Sequence, residues 1–119
     1  MKSSPAPQPV VTYPALVGRI LAQQREIHEI KQGDFALALG LSQSAYSRLE
    51  SGDSVLNMSQ LRSAAAQLSM QPSQILRLAD QYESQLRFQG VQIVSEKQDH
   101  SAAIAVGLGL LAALLLGSK

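Results

Sequence analysis

The chain has no cysteine, which excludes disulfides, thiolate metal sites and thiol catalysis and fits a reducing compartment. It has two histidines, His28 and His100. They lie far apart with no companion ligand at helical spacing, so a metal site lacks its ligand set. No charge of one sign dominates, because ten Lys and Arg stand against nine Asp and Glu. A broad basic field that would by itself announce nucleic acid is therefore missing, and any such contact must come from local geometry. The opening MKSSPAPQPVVTYP lacks the apolar stretch that a signal peptide places after its basic start. Paired carboxylates, a nucleophile beside a base and a phosphate-cradling glycine loop are also missing. The expectation is a protein that is not an enzyme and takes no cofactor.

What is present is 119 residues, room for one domain with appendages. Residues 1–13 read as a flexible lead, in which Pro5, Pro7 and Pro9 favour polyproline conformations. From residue 14 to 90 the composition turns helical. Leu16, Ile20, Ile27 and Ile30 fit one side of a first helix with Pro14 in its first turn. A shorter helix over Lys31–Leu39 turns Phe35, Ala36 and Leu39 one way and ends at Gly40, while Gly33 near its start costs helix propensity. Ser42 is a natural N-cap for a third helix from Gln43 to about Ser51, which Gly52 stops. A fourth helix, Asn57 to Ser69, turns Leu61, Ala65 and Leu68 inward. A fifth, from Pro72 to Phe88, carries Ile75, Leu76, Leu78, Ala79, Tyr82 and Leu86 on its apolar stripe. Residues 91–100 are a linker or a short strand.

The stretch QGDFALALGLSQSAYSRLESG is two short helices joined by a tight turn, the spacing of a helix-turn-helix. From about Leu16 to Leu78 the sequence resembles the Cro and phage-repressor helix-turn-helix domains of the XRE family. Gln32 stands at the start of the second helix, Ala36 is the small residue at the helix crossing, Gly40 is the turn, and LSQSAYSRLESG looks like the recognition helix and its exit. The resemblance implies an all-α, five-helix, lambda-repressor-like fold, bacterial or phage-like, that binds double-stranded DNA.

A recognition helix lies with its N-terminal half in the major groove, so its outward residues must hydrogen-bond base edges. Gln43, Ser44, Ser47 and Arg48 meet that need. Tyr46 and Leu49 turn inward, and Tyr46 is bulkier than the aliphatic residue usual there. Gln32 is placed to donate to a phosphate, a contact that positions rather than specifies. In the family a first-helix Arg meets a Glu near the end of the recognition helix. The resemblance thus implies a partly buried Arg25–Glu50 ion pair that also aims Arg25 at the DNA backbone. Lys31 stands where a hydroxyl or Asn cap is usual before the second helix. Between Tyr13 and Gly90 seven basic side chains balance seven acidic ones, so a monomer should hold non-specific DNA weakly.

The chain closes on a helix over residues 101–119, uncharged from Ala102 to Gly117. Its length is at the lower limit for crossing a bilayer. Lys97, Asp99 and His100 precede it and Lys119 follows, with no Trp or Tyr belt. Ala103 with Gly107 and Ala105 with Gly109 are small pairs that permit close helix packing. Three readings compete, with a membrane anchor through residues 102–117 favoured over a self-association helix, and both over a tail folded back on its own domain.

The expected function is sequence-specific regulation of transcription by a homodimer or larger homo-oligomer, cytoplasmic or held at the inner membrane by the tail. An antitoxin-like repressor is a variant of that reading. A different class, an adaptor or scaffold that uses the fold for protein interaction, stands beside it.

Overall fold

The computed structural model describes residues 8–95 and 101–117. Pro5, Pro7, Lys97, Asp99, His100 and Lys119 lie outside them. In chain order the elements are β1 (Val10–Thr12), α1 (Tyr13–Ile27), α2 (Gln32–Ala38), α3 (Gln43–Ser51), α4 (Met58–Gln67), α5 (Pro72–Phe88), β2 (Gln92–Val94) and α6 (Ser101–Gly117). The fold is all-α around a five-helix helix-turn-helix core, with two three-residue strands added.

Side chains satisfy free amides at the starts of α1, α3, α4 and α5. Thr12 accepts from the Ala15 amide at 3.2 Å, with Pro14 in the first turn of α1. Asn57 and Gln60 form a reciprocal capping box on α4, and on α5 the Gln74 side chain accepts from the Gln71 amide at 2.6 Å. Lys31 makes no side-chain cap on α2. The core is made by Leu16, Ile20, Phe35, Tyr46, Ala65, Leu68, Ile75 and Leu86, all essentially inaccessible. Ile27, expected on the inward stripe of α1, is 54% exposed. The helix ends on that residue, and the chain leaves through Glu29 in the left-handed region (φ 57°), so no later turn covers it.

The lead departs from a flexible segment at its end. Val10, Val11 and Thr12 are buried and pair in parallel with Gln92, Ile93 and Val94. The Gln92 amide donates to the Pro9 carbonyl at 2.8 Å, and the Gln8 side-chain amide reaches the Gly90 carbonyl at 3.1 Å. Two strands alone are marginal in water. Here α6 lies on β1, so close that a Cβ on Gly107 would overlap the Val10 carbonyl.

The favoured reading of the tail is corrected by the same contact. α6 has 17 residues, and no helix among the described residues is long and apolar enough to cross a membrane. Ala103, Gly107, Leu111 and Leu115 turn inward, and Leu111 and Leu115 join the domain core. Burying two leucines adds roughly 1.5–3 kcal/mol each. The side-chain amide of Gln23 on α1 ties the end down, donating to the Leu115 carbonyl at 3.0 Å and to the Tyr82 hydroxyl at 3.3 Å. The apolar helix is thus one more layer on the domain, docked on β1, α1 and α5.

Candidate nucleic-acid interface

The turn between α2 and α3 is closed by short-range bonds that follow from its residues. Gly40 takes φ 72°, its amide donating to the Leu37 carbonyl, and the Leu41 amide reaches back to Ala36. The Ser42 hydroxyl then accepts from the Ala45 amide at 3.1 Å, starting α3. Gly52, at φ 84°, stops it. On the inner side the Phe35 and Tyr46 rings meet at 5.1 Å between centroids, tilted by 43°. Gly18 lets α1 approach α3, since a Cβ there would overlap the Leu49 carbonyl.

With its inner face occupied by Tyr46, Leu49 and Glu50, α3 presents Gln43, Ser44, Ser47 and Arg48 to solvent. Their spacing of one and four residues puts them on a single face. All are hydrogen-bonding side chains, so the surface offers amide, hydroxyl and guanidinium groups to whatever approaches.

Behind that face lies a polar network. Arg25 on α1 grips Glu50 on α3 with Nε to Oε2 at 2.7 Å and Nη2 to Oε1 at 3.2 Å, both side chains about a tenth exposed or less. A third donor, Nη1, meets the Ile30 carbonyl at 2.8 Å. The Glu50 hydrogen bond raises the guanidinium pKa of Arg25. Arg25 therefore binds two helices and the loop after α1, and this engagement takes up three of the donors that the family resemblance aims at DNA.

Gln32 is also committed inward. Its Nε2 donates to Glu50 Oε1 at 2.9 Å, while its Oε1 accepts from Gln43 Nε2 at 3.4 Å. The residue expected at a phosphate thus links the ion pair to the first residue of the exposed face. Gly33 clears the space for this, because a Cβ there would stand 3.2 Å from the Gln43 amide oxygen. Sequence reasoning registered the propensity cost of Gly33 and missed its clearance role. The signal was a glycine one residue after the family's Gln, at a helix start that needs no positive φ.

Tyr46 stands against the same network. Its hydroxyl is buried with no hydrogen-bond partner among the described residues. Burial first, and then the neighbouring Glu50 carboxylate, pushes the phenol well above its ordinary range. The ring fills the core and contributes nothing to the exposed face. Among the described residues no group of His, Asp and Glu could hold a metal ion.

Comparison with known proteins places this arrangement. Residues 21–75 match the helix-turn-helix family model. Among solved structures, one crystal structure of the clp gene regulator ClgR from Corynebacterium glutamicum superposes with a TM-score of 0.62 at 21% identity, over 65% of this chain and 82% of that one. A second ClgR structure gives 0.54 at 22% identity, over 57% and 88%. A search of the curated proteins returns no match. The matched span runs from within α1 to the start of α5 and contains the whole α2–turn–α3 unit. Residues 21–75 are a helix-turn-helix domain of the Cro and phage-repressor type, and β1, β2 and α6 are built onto it from either end of the chain.

Proposed function

We propose that this protein is a sequence-specific DNA-binding regulator of transcription that acts by occupying an operator. One observation carries the reading: Gln43, Ser44, Ser47 and Arg48 share the solvent face of α3, and Gln43 is oriented from behind by Gln32 and Glu50. An orientated amide suits adenine and a guanidinium fork suits guanine, each good bidentate contact contributing roughly 1–3 kcal/mol of discrimination. Ser44 and Ser47 complete the surface without bulk. The structural likeness to a protein described as a gene regulator supports the same reading. On it, the protein works in the cytoplasm as a homodimer whose two copies of α3 read half-sites about one helical turn apart.

Selection of bound duplexes from a random pool by the full chain tests this, followed by fluorescence anisotropy on the enriched site across a salt series. Enrichment of one two-fold site, with phosphate contacts counted from the salt slope, is the expected result. Absence of sequence preference at moderate salt defeats the reading.

The even charge balance between Tyr13 and Gly90 favours one second reading, an adaptor that uses the fold to hold another protein. It requires binding to DNA to be absent or indifferent to Gln43 and Arg48, which the same titrations measure.

A further inference from the structure

We propose that the outward face of α6, with the adjoining side of α1, is a two-fold interface whose occupant is a second copy of this chain. The inner stripe of α6 is already spent on β1, α1 and α5. Its outer stripe, Ala105, Gly109, Ala112 and Leu116, is open to solvent. Val106 and Leu116 are 54% and 68% exposed. Surface helices are polar on the side away from the core, and helices apolar all round are covered all round. α6 is apolar all round and covered on one side only.

The charges beside this stripe identify the occupant. Between α1 and α6 runs a groove of about 230 Å³, with Ala22, Ala112 and Leu116 along it and Arg19 and Glu26 at its edges. Arg19 and Glu26 are seven residues apart on α1, two turns or roughly 10 Å. When a second copy is laid antiparallel about a two-fold axis, Arg19 meets Glu26 of the partner subunit, and Glu26 meets the partner subunit's Arg19. Leu116 of each copy enters the groove of the other. An isologous interface needs this self-complementarity, an apolar centre between charges of opposite sign. Both charges are available to a partner. Arg19 makes no ion pair among the described residues, and Glu26 has a 3.9 Å approach to Arg25, whose guanidinium is held by Glu50 at 2.7 Å.

Ala112, beside Leu116, is small enough to let the two α6 helices come close where these contacts form. A lipid surface fits the same residues poorly, since it would take Arg19 and Glu26 out of water with no opposite charge to meet them. None of the interface residues lies on α3, so the recognition face stays free. The proposal deepens the DNA-binding reading and rests on it for its purpose, supplying the pairing device that two half-sites require, while the dimer itself is measured without DNA.

Light scattering behind size exclusion, and sedimentation equilibrium, on the full chain alone should give a dimer. Ala112→Glu with Leu116→Glu, both at solvent-facing positions, should weaken it by about 30-fold or more while leaving the thermal melt by circular dichroism in place. Arg19→Glu alone places like charges together and should give a monomer, as should Glu26→Arg alone. Mixed in equal amounts, those two variants have complementary charges at both contacts and should form a heterodimer, a gain that a misfolded variant does not show. A monomeric full chain overturns the proposal, as does a dimer indifferent to the Ala112 and Leu116 changes, or a mixture that stays monomeric. A monomer that floats with phosphatidylcholine vesicles overturns it in favour of lipid. A dimer without sequence preference for DNA upholds it and removes the regulator reading.

Discussion

Arg25 on α1 and Glu50 on α3 meet Nε to Oε2 at 2.7 Å in a nearly closed environment, and the second Glu50 oxygen receives both Arg25 Nη2 and Gln32 Nε2. The pair therefore does two things at once. It locks α3 to α1, and through Gln32 it reaches the side chain of Gln43, the first residue of the exposed face. Burying two charges contributes little net stability when they are paired, whereas leaving one alone costs a good deal.

Arg25→Ala should accordingly destabilise the fold by about 3–5 kcal/mol, because Glu50 remains buried without its partner. The double change Arg25→Met with Glu50→Leu should be close to the parent in urea melts. It should still lose operator discrimination, since Gln32 no longer has a carboxylate to lean on. Equal losses of stability in the single and double variants would contradict this account.

Gln43→Ala and Arg48→Ala should each lower the preference for the selected site over a mismatched one by about tenfold or more, following the roughly 1–3 kcal/mol of a bidentate base contact. Both side chains are exposed, so thermal stability should stay within about 0.5 kcal/mol of the parent. Anisotropy titrations on matched and mismatched duplexes read the first quantity, and melts the second.

Gly33→Ala separates propensity from clearance. Alanine is the better helix former by about 1 kcal/mol, so stability should hold or rise. The new Cβ would stand 3.2 Å from the Gln43 amide oxygen, which should displace that side chain and weaken operator binding severalfold. A variant that is more stable and binds unchanged would show that Gln43 needs no such clearance.

Tyr46→Phe removes a buried hydroxyl that has no hydrogen-bond partner among the described residues. Stability at neutral pH should be unchanged or higher by about 1 kcal/mol. Burial raises the folded-state pKa of Tyr46, and burial together with the Asp80 and Glu83 carboxylates raises that of Tyr13. A phenol ionises near pH 10 in the unfolded chain. Above that pH the unfolded state binds fewer protons than the folded one, so the stability present below pH 10 falls as pH rises. Urea melts at pH 8 and pH 11 should show that fall in the parent, and a shallower one in Tyr46→Phe.

Gly107→Leu tests the docking of α6. Its side chain would be driven into the Val10 carbonyl, lifting α6 from β1 and costing about 1–3 kcal/mol. Amide exchange at Val10–Thr12 should accelerate more than exchange in α3, because the strand pair depends on α6 for cover while α3 is held on α1 and α2.

Local chemistry made α3 and its turn legible from the sequence alone. The bounds Gln43–Ser51 follow from the Ser42 cap and the Gly52 stop, and the outward set Gln43, Ser44, Ser47, Arg48 follows from helical spacing against the inward Tyr46 and Leu49. The resemblance added the Arg25–Glu50 pairing, whose side chains stand 2.7 Å apart. What lay outside reach depended on partners distant in the chain. Ile27 fits the apolar period yet ends its helix uncovered. Val10–Thr12 is too short to read as a strand until Gln92–Val94 comes beside it. Gln32 faces a carboxylate on another helix, and Gly33 serves a side chain ten residues ahead.

The apolar tail shows the division best. Its sequence determined a helix with no charged face and with glycine and alanine spaced for close approach, because those properties are set by composition and period. Only the tertiary structure decided where that helix goes. Burial of Leu111 and Leu115 against the domain, the Gly107 approach to Val10 and the Gln23 bond to the Leu115 carbonyl need surfaces that β1 and α1 build from the far end of the chain and that α5 completes. Hydrophobicity is non-directional, so it specified that α6 be covered, and the shape of β1, α1 and α5 supplied the cover.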